Sequence, residues 1–340
     1  MWNALVYTLV AGAAAALTVV ALEPAWIRAA RDAGLVGRDM NKLGGREVAE
    51  AGGIWVVVGA AFGLLIVEAL HRYLEGRLYM PATLFALISL LLLSALLGFI
   101  DDILGWKKGL PPWQRVAFMA PISLPLVVIK AGKSTLSLPL VGVVNLGLLY
   151  PLVAVPLGVL GAANAFNMIA GLNGLEAGMG LTLMLYTALY AKIKGVVFVP
   201  QAAAVMAAAL LAFLAYNWYP ARVFPGNALT YGVGAYYAAL VIIGNMEKFG
   251  IALFSLYFLE LLLFLRGLRH GVYKENFGRP QPDGSIKPPY NKVYSITHAA
   301  MVLAEKLFGK ATERNTVALI ILIENIIGLA LITAALHGLI

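Results

Sequence analysis

The chain has no cysteine, only four histidines, and charged side chains at just 12% of its 340 residues. Without cysteine there is no disulfide framework and no thiolate chemistry, which suits a reducing compartment or a heat-adapted source. The histidines, at positions 71, 270, 298 and 337, are not spaced as a metal site. No segment carries a Walker loop, a dinucleotide fingerprint, a HExxH helix or a GxSxG elbow. The commonest soluble nucleotide, protease and esterase readings therefore fall away.

What is present is apolar: 61% hydrophobic residues and a mean hydropathy of +0.85. This composition describes an all-α polytopic membrane protein and excludes a water-soluble core. Residues 2–22 are long enough to span a bilayer. No basic residue precedes them, so they read as a retained span and not as a cleaved signal peptide. Further spans read at about 53–71, 80–99, 114–131, 150–166, 176–192, 198–217, 228–244, 249–266 and 316–338, or about ten helices in a single domain over residues 1–340. Residues 134–147 alternate weakly around Pro and Gly, the pattern of a small hairpin outside the bilayer.

The 25 basic residues against 17 acidic give a net charge of +8. A nucleic-acid partner is not implied, because the basic residues sort by loop. Arg28, Arg31, Arg38, Lys42, Arg46, Lys107, Lys108, Arg222 and the basic segment 266–314 fall in odd-numbered loops. The positive-inside rule then puts those loops in the cytosol and both termini outside.

Polar anomalies collect in the same loops. Residues 161–180, GAANAFNMIAGLNGLEAGMG, place Asn164, Asn167, Asn173 and Glu176 among glycines between two apolar runs. Carboxamides are costly at membrane depth unless paired, and Asn164 and Asn167, three apart, should share a helix face. A Gly/Asn turn between helices accounts for the stretch equally well. In the first loop GRDMNK supplies Asn41 and Lys42, and Glu50 follows at the mouth of the next helix. After the third apolar run come Asp101 and Asp102, adjacent carboxylates whose repulsion a divalent cation would relieve. Lys107, Lys108 and Arg115 follow as phosphate-binding candidates. Tyr216–Thr230 forms a proline-rich corner with Phe224 as a stacking surface and Asn227 opening the next helix. The last loop offers Arg279 and Lys287. Together these make a cytosolic cleft of carboxylates, carboxamides and cations, suited to a phosphorylated substrate with Mg²⁺.

The motifs GRDMNK, LLGFIDDILG, NAFNMIAGLNGLEAG, NWYPARVFPGNA and TERNT, in this order, resemble the polyprenyl-phosphate N-acetylhexosamine-1-phosphate transferases. The likeness is strongest to the dolichyl-phosphate N-acetylglucosaminephosphotransferase branch of eukaryotes and archaea, and it covers nearly the whole chain. It implies transfer of a sugar 1-phosphate from a UDP-N-acetylhexosamine to a polyprenyl phosphate with release of UMP, as in the first membrane step of N-glycosylation. It also implies ten membrane helices and a requirement for Mg²⁺, with Mn²⁺ as a substitute. By motif, Asn167 resembles the carboxamide metal ligand, and Asn173 and Phe224 resemble the residues that hold uridine. Arg115 stands where the family has a basic residue on the diphosphate, and Asp101 and Asp102 match the paired aspartates at the lipid phosphate. Lys42, Glu50 and Arg279 correspond to residues around the sugar phosphate, and Asn41, Asn164 and Glu176 complete the substrate-facing set.

Asn227 departs from the pattern: the family carries an aspartate there as anionic metal ligand, and a carboxamide offers oxygen without charge. Mg²⁺ affinity should fall unless Asp101 or Asp102 joins the metal. A weakened or inactive relative that binds sugar nucleotide or lipid is the alternative this substitution raises, and a transporter is a second. Direct attack by the lipid phosphate is preferred to a route through an aspartyl-phosphate. The compact, Ala/Val/Leu-rich chain looks archaeal, which implies the plasma membrane, with the endoplasmic reticulum as alternative. Glu260 and Glu324, lone carboxylates in apolar spans, read as structural, paired with a neighbour or facing the bundle interior, with nothing joining them to the loop motifs; a homodimer is left open.

Overall fold

The computed structural model describes residues 2–104, 112–138 and 142–340. In lipid every backbone donor and acceptor must be satisfied within the segment, so the apolar runs form helices. They are α1 (Trp2–Asp32), α2 (Gly53–Glu75), α3 (Pro81–Leu104), α4 (Pro112–Met119), α5 (Leu124–Val128), α6 (Val155–Met168), α7 (Leu175–Ile193), α8 (Phe198–Asn217), α9 (Gly226–Gly244), α10 (Glu247–Leu253), α11 (Ser255–Arg269), α12 (Ile296–Phe308) and α13 (Glu313–Leu336). Among the described residues seven helices are long and apolar enough to cross a membrane, and eight if α10 and α11, bent by 55°, count as one span. The chain is an all-α integral membrane protein.

Two of the ten expected spans do not meet that standard. Residues 114–131 are broken by a 3₁₀ turn at Ala120–Ser123, leaving only a short apolar stretch at Ala117–Val128. Pro121 and Pro125 remove the backbone donors that a continuous helix would need there. The other, α7, has 19 residues, but Glu176, Thr182, Thr187 and Lys192 dilute its apolar character.

Helix α9 is the most enclosed, packed by α3 and α6 and also touched by α2, α7 and α8. Its neighbours come close because glycines stand at the crossings. A Cβ on Gly98 would lie 2.3 Å from the Asn227 carbonyl oxygen, and one on Gly234 2.6 Å from that of Ala162. Without a large hydrophobic gain between helices in lipid, such close packing is a main source of association.

Among the described residues three short two-stranded pairings decorate the helices. β1 (Val36–Arg38) pairs antiparallel with β2 (Glu47–Ala49), and Ala49 also bridges to Val223. β3 (Thr135–Leu138) pairs with β4 (Gly142–Asn145), Thr135 opposite Asn145, where the alternation of 134–147 predicts a hairpin. β5 (Arg279–Pro280) pairs with β6 (Ile286–Lys287) in the last loop. Ser295 caps α12, and Thr312 with Asn315 forms a capping box on α13, so both C-terminal helices have defined starts.

Candidate active site

A cleft of about 560 Å³ opens at one end of the bundle, between the end of α3, the α6–α7 corner, the start of α9, the β1–β2 loop and Phe277. Asp102, in the last turn of α3, accepts hydrogen bonds from the backbone amides of Asn227 (2.7 Å) and Ala228 (3.1 Å). It caps a helix other than its own, since Pro225 at the N-cap position of α9 supplies no side-chain bond. A carboxylate on a helix N-terminus meets both the orphan amides and the positive end of the dipole. Gly226 adopts φ +68°, and a Cβ there would lie 2.4 Å from Asp102 Oδ2, so both the turn and the approach of Asp102 require glycine.

The two asparagines assigned to a metal both line the cleft, and Thr230 of α9 touches each of them. Asn227 donates from Nδ2 to Asp101 Oδ2 at 2.9 Å. Asn167, at the end of α6, accepts from Thr230 Oγ1 at 2.8 Å and donates to Tyr231 at 3.4 Å. Among the described residues no three His, Asp, Glu or Cys side chains cluster as metal ligands. The donors here are instead carboxamide oxygens beside one carboxylate, Asp101. Such an oxygen-only set fits an Mg²⁺ ion that takes its remaining ligands from phosphate and water. Asp102 is spent on backbone amides.

Gly171, at φ +145°, turns the chain between α6 and α7. Its N–H donates to Glu176 Oε1 (3.0 Å), and its carbonyl accepts from Asn41 Nδ2 (2.8 Å). Asn173 donates from its backbone to Glu313 (2.7 Å) and from Nδ2 to Asp39 (3.0 Å). Lys42 pairs with Asp39 and, at 3.2 Å, with Glu313, and lies 4.6 Å from the centre of the Tyr219 ring. Two lining atoms, Glu176 Oε2 and Asn217 Oδ1, are buried with no protein partner. Burial also pushes the Glu50 carboxyl up to about 7, because the charged form loses water.

The cleft gathers Asn41, Glu50, Asp101, Asp102, Asn167, Asn173, Glu176, Phe224 and Asn227. Lys42 stands behind Asp39. Asn164 does not join them: it lies one turn deeper in α6, and its amide donates to its own helix at Leu160 O (2.8 Å). Arg279 is exposed in β5. The side chain of Arg115, with Lys107 and Lys108, lies outside the described residues.

Sequence reasoning passed over Asp39 and Glu313, although both sit in quoted motifs. A carboxylate in a first helical turn, as Glu313 is, ordinarily needs no reason beyond the dipole. It read Glu260 as paired with a neighbour, which holds, but joined it to none of the loop motifs, and there the structure corrects the reading. Glu260 pairs with Lys274 of the last loop and accepts from Ser295 and Ile296, and Lys274 reaches the carbonyl of Met168 at the end of α6. Glu324 is bound by Tyr257 at 3.0 Å.

Residues 83–245 match the family described as glycosyl transferase family 4. A protein of Saccharolobus solfataricus, provisionally named UDP-N-acetylglucosamine–dolichyl-phosphate N-acetylglucosaminephosphotransferase, is 34% identical over 283 residues, 81% of this chain and 82% of that relative. The chain belongs to glycosyl transferase family 4. Two further relatives match at lower identity. The Dictyostelium discoideum enzyme of the same name, without the qualification, is 27% identical over 64% of this chain and 61% of its own length. A phospho-N-acetylmuramoyl-pentapeptide-transferase of Streptococcus thermophilus is 28% identical over 74% of this chain and 77% of its own. The stretch matched to family 4 runs from α3 to the end of α9, and so includes Asp101, Asp102, Asn167, Asn173, Phe224 and Asn227.

Proposed function

We propose that this protein transfers N-acetylglucosamine 1-phosphate from UDP-N-acetylglucosamine to a dolichyl-type polyprenyl phosphate, releasing UMP. The observation that carries the reading is the meeting, in one cleft of a family 4 chain, of Asp101, Asn167 and Asn227 with Phe224, Glu50 and the Gly171–Asn173 corner. The names of the relatives supply the substrates, and the chemistry of the walls is compatible with them. Glu176 Oε2 and Asn217 Oδ1 are acceptors lacking donors, and a nucleoside presents N–H and O–H groups.

The lipid phosphate, with a second pKa of about 6, is already a nucleophile at neutral pH. Its oxygen attacks the sugar-bearing phosphorus, a new P–O bond forms, and the bond to the bridging oxygen breaks, so that UMP leaves with that oxygen. Asp102, held by two backbone amides, positions α9 and is a poor candidate for a covalent nucleophile. Asp101, Asn167 and Asn227 would hold Mg²⁺, which would supply positive charge to the diphosphate. The active site faces the cytosol and both termini lie outside, on the evidence of the basic loops, in what the archaeal relatives suggest is a plasma membrane.

The purified protein should release UMP from UDP-N-acetylglucosamine only when polyprenyl phosphate and Mg²⁺ are both present. Absence of UMP from folded protein, across a range of metals and sugar nucleotides, would overturn the reading.

A further inference from the structure

The end of α6 leaves carbonyl groups without intrahelical partners, as every helix C-terminus does. In most helices water or a glycine-led turn satisfies them. Here a segment more than 100 residues later does so. Asn276 donates through Nδ2 to Met168 O and Ala170 O, both at 2.7 Å, and Lys274 Nζ approaches Met168 O at 3.4 Å. These carbonyls follow Asn167 directly. Asn276 packs against the Gly171 turn, where a Cβ would lie 3.0 Å from its own, and the neighbouring Phe277 lines the cleft. Gly278 then donates to Asn41, which itself holds Gly171.

This clasp is fastened from below. Lys274 is buried, which pushes its ammonium below the ordinary lysine range, and Glu260 of α11 opposes that shift. Glu260 also accepts from Ser295 Oγ (3.0 Å) and the Ile296 amide (2.7 Å), and Lys274 bonds Asn276 Oδ1. Buried ion pairs are seldom efficient stabilisers, since apolar residues of similar volume often hold a core as well. What a fully bonded pair supplies is a fixed direction for the groups attached to it.

We propose that Lys274 and Asn276, anchored by Glu260, are positioning residues of the cleft. They set the end of α6 and the Gly171 turn so that Asn167 and Phe277 face the ligand in the correct register. The proposal rests on the sugar-nucleotide reading of the site. Glu260 thereby becomes part of how the site is built.

The test uses the full-length protein in lipid and compares wild type with Asn276→Ala, Asn276→Asp and the double variant Glu260→Gln/Lys274→Met, which removes both buried charges together. Four quantities are read on each: KM and kcat for UMP release, UMP binding by calorimetry, and the thermal midpoint. Removing a supporting partner typically costs about tenfold in affinity or activity. Asn276→Ala and Asn276→Asp should therefore raise KM for the sugar nucleotide about tenfold and weaken UMP binding in step. In both, kcat should stay within about threefold and the midpoint should be little changed. The double variant should follow the same pattern. Unchanged KM and UMP binding in the Asn276 variants would overturn the proposal. So would losses that track the thermal midpoint, because those belong to folding alone. A wild-type protein that neither binds UMP nor releases it would sink the functional reading and this inference with it. An active wild type with indifferent variants would sink only the inference.

Discussion

Asn227 answers for its missing charge through its neighbour. Its amide donates to Asp101 at 2.9 Å, so an aspartate in its place would exchange a hydrogen bond for two facing carboxylates. Repulsion of that kind is relieved by a cation. Asn227→Asp should therefore lower the thermal midpoint in the presence of chelator and raise the midpoint shift that Mg²⁺ produces, with apparent Mg²⁺ affinity about tenfold tighter. An Mg²⁺ response equal to that of the wild type would show that residue 227 does not face the metal. Glu50 offers a second residue-scale test. Its carboxyl is raised from 4.5 to about 7 in the folded chain, so folding favours its protonated form. That contribution is complete below 4.5 and is lost as pH rises through about 7. Glu50→Gln, which mimics the protonated form, should match wild type near pH 4.5 and grow progressively more stable than it up to pH 8, with a ceiling on the order of 3 kcal/mol. Parallel melting-temperature profiles for the two proteins would contradict this.

Helix α9 depends on its neighbours at the level of backbone contact. Gly98→Ala would force α3 away from the Asn227 carbonyl and shift Asp102 with it, at a cost of about 1–3 kcal/mol, and UMP release should fall with stability. Gly158→Ala is the control: among the described residues its Cβ would meet only Ile242, at 3.8 Å, and the change should be neutral or gain up to about 1 kcal/mol from helix propensity. Thermal melts and UMP assays of the pair check this. The same elements show what was legible from residues alone. Eight of the ten expected spans, with α10 and α11 taken as one, and the β3–β4 hairpin follow from apolar run length and alternation. The break at Pro121 and Pro125 was equally visible, but hydropathy summed over residues 114–131 hides it. Within the site, Asp101, Asp102, Asn167, Asn173 and Asn227 stand out as polar groups at the ends of apolar helices. Lys274 and Asn276 do not, because a basic loop residue looks solvated until the fold shows it buried against Glu260. Asn164 illustrates the opposite error: spacing put it beside Asn167, and its bond to Leu160 turned it back into the helix.

At the scale of the molecule, the absence of cysteine makes orientation directly testable. Leu43 in the β1–β2 loop and Val143 in β4 are both exposed, at 62% and 75%, and neither touches the cleft. With cytosolic odd loops, and with residues 114–131 crossing the bilayer in spite of their break, Leu43→Cys should react with an impermeant maleimide only in inside-out vesicles and Val143→Cys only in right-side-out ones. The opposite pattern would invert the topology, and labelling of both from one side would show that an odd number of crossings between them is wrong.

The ion pair of Lys42 with Glu313 joins residues 271 positions apart. Lys42 leaves the ribosome 271 positions ahead of its partner. Contacts of such sequence separation form late, so the first loop, already tied to Gly171, Asn173 and Val223, gains its Glu313 contact only once α13 has been inserted. A nascent or truncated chain lacking α13 would already own Asp101, Asp102, Asn167, Asn227 and Phe224, and still present an unfinished cleft. Biogenesis is thereby tied to completion: a half-made copy in the membrane would have no finished site in which to consume lipid carrier.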